Sequence, residues 1–318
     1  MRDSPSLEST PYNPAHHRFT VLAASCVFLL IVAGALVTSN DAGLSVPDWP
    51  TSFGSLYRIP PMVGGVKFEH GHRMLAEFVG LLTIGVAVWT QRADRRRWMR
   101  ILGWCALGTV IAQGLLGGLT VLFKLPPAIS TAHATLAQTF FCIMVSIAFF
   151  TSRSWVQKPA AIVSHDEHPR LATLATLGVA VVWLQLIMGA AFRHSGIRLL
   201  PHLIGAAVVF GCIGWLGIAA LRRHAETEQL ARPARALLVL LAVQILLGLA
   251  SYVTRLQSPH SALPLASMVV TTVAHVACGA LVLVTTVILA IQIFRHSVPQ
   301  PSALSQAEPL PNGSTVHA

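Results

Sequence analysis

The feature that most constrains this chain is a series of eight long apolar segments separated by short polar stretches. They lie near residues 19–38, 71–90, 101–123, 128–151, 170–192, 199–221, 235–254 and 266–294. Each is close to the ~20 residues that an α-helix needs to cross a bilayer. Backbone that faces lipid must satisfy its own hydrogen bonds, so these segments are expected to be helices. The sequence therefore predicts an all-α membrane protein with eight transmembrane helices.

Charge gives the orientation of these spans. Only 11% of residues are charged, against about 25% in soluble proteins. Alternate connections hold 15 of the 22 basic residues, and basic loops favour the cytoplasmic side. Both termini are therefore expected in the cytoplasm (N-in, C-in). The same loops account for the net charge of +10, so no nucleic-acid partner is predicted.

The ends of the chain and the cysteines predict a bacterial inner membrane protein without disulfides. The first 18 residues contain acidic side chains and no apolar core, unlike a signal or transit peptide. The cysteines all lie within apolar segments and none has CxxC spacing, so they are expected to pack as small hydrophobic residues. They are Cys26, Cys105, Cys142, Cys212 and Cys278.

Weak internal similarity divides the chain into two halves. AQGLLGGLTV (112–121) resembles VQILLGLASYV (243–253), and each is followed by a histidine, His133 or His275. Order is kept between the halves, which is typical of a parallel repeat. The predicted parts are a cytoplasmic N-terminal tail at 1–18, an N-terminal four-helix half at 19–151, a cytoplasmic linker at 152–169, a C-terminal four-helix half at 170–294 and a disordered cytoplasmic tail at 295–318.

Four of the 14 histidines lie within the predicted spans. His72, His133, His202 and His275 each lie a few residues from the outer end of an even-numbered span, two in each half. Ionisable side chains within a bilayer are costly and usually functional. Two imidazoles that face each other across a four-helix bundle suit one haem iron, whereas zinc takes more protein ligands. We therefore expect two haem sites.

A carboxylate flanks only one of these two sites. Glu69 lies three residues before His72, on the same side of the helix, while the corresponding residue before His202 is Leu199. His70 lies two residues from His72 and is expected to point elsewhere. An acidic group beside one haem indicates that this haem is acted on and that the other transfers electrons.

Taken together, these residues resemble the haem A synthase family over roughly residues 20 to 290. The resemblance rests on GLSVPDWP (43–50), EHGHR (69–73), QGLLGGLTV (113–121) and RHSG (193–196), together with His133, His202 and His275. The first outer loop, residues 39 to 67, lacks the cysteine pair of some members. The chain is therefore similar to the cysteine-free branch, and a mechanism that uses a loop disulfide is in doubt.

The resemblance implies a function and a set of roles. The family oxidises the C8 methyl group of haem O to the formyl group of haem A for cytochrome oxidase biogenesis. His72 and His133 then map to the substrate haem, His202 and His275 to a haem b cofactor, and Glu69 to the catalytic acidic position. The implied partners are haem O, haem O synthase (protohaem farnesyltransferase), the cytochrome oxidase assembly pathway and an unidentified electron acceptor. Whether the chain forms a homo-oligomer is left open.

Four further residues carry two interpretations each. Arg73 and Arg193 lie at the outer interface, where arginine pairs with propionates or simply snorkels at helix ends. Asp48 and Trp49 fit either the mouth of a substrate site or a turn between prolines with an interfacial tryptophan.

Two other functions explain these sequence features less well. A transmembrane di-haem electron-transfer cytochrome explains the histidine pairs but leaves Glu69 without a role. A transporter with a histidine proton relay is expected to break its helices near the midplane. The haem content of the purified protein separates these classes.

The orientation can be tested with a fluorescent protein that folds only in the cytoplasm. Fused after residue 318, it should fluoresce, because both termini are predicted to be cytoplasmic. Fused to a chain truncated within the first outer loop, it should stay dark. The reverse pattern would contradict the predicted orientation.

Overall fold

The computed structural model describes residues 11–56, 58–157, 169–257 and 264–296. Over these ranges the chain forms helices and no named strand. The helices are α1 (Pro14–Ser39), α2 (Val66–Ala93), α3 (Arg97–Leu122), α4 (Pro127–Phe150), α5 (Arg153–Val156), α6 (Leu171–Arg193), α7 (Leu199–His224), α8 (Glu228–Leu256) and α9 (Ala266–His296). All but the short α5 are long and apolar enough to cross a membrane. The predicted all-α fold with eight spans is confirmed.

Some helices extend beyond the apolar segments that predicted them. α1 begins at Pro14 because the side chain of Asn13 accepts hydrogen bonds from the backbone of Ala15 and His16, both at 3.1 Å. The expected N-terminal tail, residues 1–18, therefore overlaps a helix. α8 begins at Glu228 and continues through Pro233. Hydropathy marks only the part of a helix that lies in lipid. A polar first turn is therefore not recognised as part of the helix.

Two expected segments are only partly described. The predicted linker at 152–169 contains α5, but residues 158–168 lie outside the described ranges. The tail predicted from residue 295 begins within α9, which ends at His296, and the residues after it are outside the described part of the chain.

The long helices pack as two closed rings of four. In the first ring α1 contacts α2 and α4, and α3 contacts α2 and α4. In the second ring α6 contacts α7 and α9, and α8 contacts α7 and α9. α1 and α4 of the first ring pack against α9, and α4 also packs against α6. As a result α2 stands diagonally opposite α4, and α7 diagonally opposite α9.

Apolar side chains fill both rings and the seam between them. One buried cluster is centred on Met99, Phe140 and Met144 and reaches α9 through Ala280. A second includes Ile213, Leu237 and Leu289, among others. Ala35, Val269 and Val273 join α1 to α9 close to Gly34 and His275 in the sequence. The large exposed side chains of the spans, such as Leu246 of α8, suit contact with lipid.

Candidate paired-histidine sites

Each of the four predicted histidines lies against a glycine of the preceding long helix. A Cβ atom placed on Gly34, Gly117, Gly189 or Gly248 would lie 3.1, 3.1, 2.9 or 3.0 Å from the nearest atom of the imidazole. The nearest atom is Cε1 in every case, and the partners are His72, His133, His202 and His275 respectively. Any larger residue would push the ring away. The glycines therefore let each imidazole lie flush against the neighbouring helix.

Three of these four histidines are contacted by a glutamine that lies one helical turn before the glycine. Gln113 Nε2 donates to the backbone oxygen of His133 at 3.0 Å and lies 3.4 Å from its ring. Gln185 Nε2 donates to the backbone oxygen of His202 at 2.8 Å and lies 3.0 Å from its Nδ1. Gln244 Nε2 lies 3.4 Å from the ring of His275. Each glutamine precedes its glycine by four residues, one helical turn.

The histidines of the second ring face each other across its centre. The ring centroids of His202 and His275 are 6.4 Å apart, with the planes at 83°. Metal–imidazole bonds are about 2 Å long, and a ring nitrogen lies roughly 1 Å from its own centroid. A metal ion shared by two imidazoles therefore places the centroids roughly 6 Å apart. The observed spacing fits such a shared metal.

Three of the four imidazoles have a buried ring nitrogen without a partner in the described part of the chain. Nδ1 of His72, His133 and His275 is buried and has no hydrogen-bond partner among the described residues. A buried polar atom without a partner is costly unless a ligand satisfies it. Over the same ranges, no three or more His, Cys, Asp or Glu side chains are grouped to hold a metal ion. A porphyrin supplies four ligands itself, so two imidazoles are enough for haem.

Glu69 is buried, with 4% of its surface exposed, and it is held by two partners. Its Oε1 accepts a hydrogen bond from Arg73 at 2.7 Å, and its Oε2 accepts one from the backbone N–H of Val46 at 2.9 Å. Arg73 also donates to three backbone oxygens of the first outer loop, those of Val46, Asp48 and Thr51. The pair therefore fixes this loop on the first turns of α2.

His70 contacts the same loop and not the histidine pair. Its Nδ1 lies 3.0 Å from the Oγ atom of Ser52, while the ring of His72 lies against Gly34 of α1. The two imidazoles thus have different partners, as the angle of about 200° between them on a helix implies.

Asp48 and Trp49 give the loop its shape. The carboxylate of Asp48 accepts hydrogen bonds from the Thr51 hydroxyl and from the backbone N–H groups of Phe53 and Gly54. Burial alone raises the pKa of Asp48, but these hydrogen bonds outweigh it and lower the pKa to about 2. The Trp49 indole lies directly over Gly118. The preceding residue, Gly117, is the glycine that the His133 ring lies against. Asp48 and Trp49 therefore form the cover of the first ring.

Arg193 lies at the seam between the two rings. Its guanidinium donates to the backbone oxygen of Ala35 at 2.9 Å and to the Ser39 hydroxyl at 2.6 Å. Arg255, which the sequence did not single out, lies 5.6 Å above the ring of Phe192. Phe192 in turn stacks on His202, with centroids 6.5 Å apart. Two arginines thus lie near the second histidine pair.

Sequence reasoning placed the histidines in spans but missed what holds them. The two halves align Gln113 with Gln244, yet no contact was assigned to either residue, and Gln185 was not considered. The signal was present: Q-x-x-x-G occurs before His133, His202 and His275, at Gln113, Gln185 and Gln244. In the first helix pair the corresponding residues are Leu30 and Gly34.

Eight helices long and apolar enough to cross a membrane, with four histidines that each lie against a glycine of the preceding long helix, define a multi-pass membrane protein. A family model described as cytochrome oxidase assembly protein matches residues 66–199, which include Glu69, His72 and His133. The haem A synthase of Symbiobacterium thermophilum is 31% identical over 265 residues, which cover 73% of this chain and 84% of that protein. The chain belongs to the haem A synthase family.

Other relatives match over a shorter region. The haem A synthase of an Exiguobacterium species is 25% identical over 191 residues, covering 59% of this chain and 58% of its own length. That of Alkalihalophilus pseudofirmus is 26% identical over 182 residues, with 56% and 59% covered. The chain thus spans less than two thirds of these two proteins. The relatives are bacterial, so the chain is a multi-pass bacterial membrane protein.

The glycine contacts can be tested within one helix. Gly117→Ala should push the His133 imidazole out of place and lower the haem content of the first ring, by about 10-fold in affinity as for other changes around metal ligands. Gly114→Ala is the matched control, because a Cβ there meets nothing within 4 Å. Haem extracted per mole of purified protein is the measurement. Equal haem content in the two variants would show that the contact between Gly117 and His133 does not matter for haem binding.

Proposed function

We propose that this protein oxidises the C8 methyl group of haem O to the formyl group of haem A. In this proposal His72 and His133 hold the substrate haem, and His202 and His275 hold a haem b. One observation carries it: all four histidines lie against a glycine of the preceding long helix, but the buried carboxylate of Glu69 lies within one helical turn of His72 alone among them. Membership of the haem A synthase family supports the same activity.

The protein's own residues position the reacting groups. When bound, a haem iron with two imidazole ligands supplies the redox chemistry. His72 on α2 and His133 on α4 lie on diagonally opposite helices, where they would hold a substrate haem between them. Trp49 over Gly118 and the docked outer loop cover the same end of the ring and keep water from it.

Glu69 is the group that accepts protons at the substrate site. Each of its oxygens accepts one hydrogen bond from the protein, which leaves a further lone pair on each for a proton. The same hydrogen bonds fix the position of the carboxylate, as general base catalysis requires. Arg73 orients Glu69 through their 2.7 Å ion pair. Arg73 and Arg193 also remain candidates for contacts with haem propionates.

The second ring passes electrons onward in this proposal. His202 and His275 lack a flanking carboxylate, since Leu199 occupies the place of Glu69. The substrate is expected from haem O synthase, and the product serves cytochrome oxidase assembly. The electron acceptor is a further partner, of unknown identity. Pigment extraction tests the whole proposal: haem A and haem O should be recovered with haem b. Haem b alone would favour a di-haem electron-transfer cytochrome.

The second histidine pair can be tested directly. His202→Ala and His275→Ala should each remove haem b from the purified protein, because one imidazole holds a low-spin haem less well than two. His70→Ala is the control and should keep haem b and activity, since His70 contacts Ser52 and no paired histidine. The absorption spectrum reports the result. A full low-spin haem b spectrum in both variants would show that the ligands are assigned wrongly.

Replacing Glu69 separates a proton acceptor from a loop clamp. Glu69→Gln should fold, keep haem b and accumulate haem O or its hydroxylated intermediate, with turnover reduced about 10²-fold as for loss of a general base. Arg73→Gln breaks the same ion pair but keeps the carboxylate, so it should retain more turnover.

Trypsin cleavage at the exposed Arg58 reports whether the outer loop stays docked in each variant. If Glu69 acts only as a clamp, both variants lose activity equally and both are cleaved faster. A normal yield of haem A from Glu69→Gln, in a strain with no other source, would rule out the catalytic role.

A further inference from the structure

We call the glycine that each imidazole lies against, together with the residue four positions before it, the seat of that histidine. One of the four seats differs from the other three. A glutamine lies one turn before the glycine at the seats of His133, His202 and His275. At the seat of His72 the same place holds Leu30, four residues before Gly34. The side chain at this place therefore distinguishes the seat of His72 from the other three.

The surroundings of each seat match the side chain that occupies it. Two glutamines lie in gaps left by glycines: a Cβ on Gly205 would lie 2.1 Å from Gln185 Oε1, and one on Gly279 would lie 3.2 Å from Gln244 Nε2. Leu30 of α1 and Leu75 of α2 instead each pack against the apolar cluster of the first ring. The difference is therefore built into both helices of the pair.

A side-chain amide changes how firmly an imidazole is held. Hydrogen bonds around a metal-bound histidine fix the orientation of its ring, and their loss typically costs 10- to 100-fold in affinity for the metal. Leu30 can offer only van der Waals contact. Of the four rings, that of His72 is thus the one without an amide to hold it.

We propose that Leu30 makes His72 the weakly held axial ligand, so that the first ring exchanges its porphyrin while the second ring keeps its own. This rests on the proposed function, in which the first ring binds a substrate that must leave as product. A site with one firm ligand, His133, and one weak ligand, His72, binds its haem in position and still releases it. The second ring, with glutamines beside both ligands, is suited to a resident cofactor. Leu30 is a positioning residue in this account.

Transfer of haem to excess apomyoglobin tests the proposal, with haem O and haem b quantified separately after extraction. Wild-type protein should lose haem O quickly and haem b slowly. Leu30→Gln should slow the loss of haem O about 10-fold and leave haem b unchanged. Leu30→Met is the apolar control and should behave like wild type. Conversely, Gln185→Leu should speed the loss of haem b about 10-fold and leave haem O unchanged.

A spectroscopic measurement separates ligand orientation from a structural effect. In Leu30→Gln the low-spin ferric electron paramagnetic resonance signal of the first ring should move toward that of the second, because amides then hold both of its ligands. Unchanged loss of haem O from Leu30→Gln would overturn the proposal. If that variant does not fold, Gln113→Leu replaces it: haem O loss should quicken about 10-fold, and an unchanged rate would overturn the proposal equally.

Failure of the proposed function gives a different result. If wild-type extracts contain only haem b, then haem O oxidation is wrong. Haem loss can then be followed with haem b in both rings. A fast phase that disappears in Leu30→Gln would still support the exchange proposal, and two equal rates in wild type would overturn it.

Discussion

The close contact between an imidazole and a glycine on the neighbouring helix is the interaction on which both rings depend. Adjacent helices pack about 8–10 Å apart, so diagonal helices stand roughly 11–14 Å apart. Two imidazoles and a planar ligand fit that span only if each imidazole keeps close to its own side. Glycine costs about 1 kcal/mol relative to alanine within a helix. At Gly34, Gly117, Gly189 and Gly248 that cost provides the space at the centre of each ring.

The two rings share this arrangement and differ at their outer ends. The first is covered by a loop that Glu69, His70 and Arg73 hold on α2. In the second, α6 and α7 are joined by only five residues, 194–198. Within the described residues, which leave out 258–263 between α8 and α9, a docked loop and a buried carboxylate are found at the first ring and not at the second. The difference in chemistry proposed for the two rings follows from this difference in cover.

Much of the fold was accessible from the sequence because a bilayer imposes a simple rule. Long apolar runs must be helices, so eight spans could be predicted, with errors only at polar ends such as Pro14 and Glu228. His72, His133, His202 and His275 stood out because ionisable residues are rare in lipid. The ion pair of Glu69 with Arg73 is local, at i and i+4 on one helix, but its hydrogen bond from Val46 could not be predicted, since Val46 lies in the outer loop. The glycine seats required knowledge of which helices are neighbours, which hydropathy does not supply.

Arg193 places one positive charge between the two rings of helices. It belongs to the second ring, yet its guanidinium is bonded to Ala35 of α1, the residue next to the glycine that seats His72. A fixed cation in a medium of low dielectric acts over a longer distance than one in water. It favours whichever oxidation state of a nearby redox group carries less positive charge, which is the reduced state. In the proposed function, a haem bound in either ring would therefore have its reduction potential raised by this one shared charge, and a change at Arg193 would shift both potentials in the same direction.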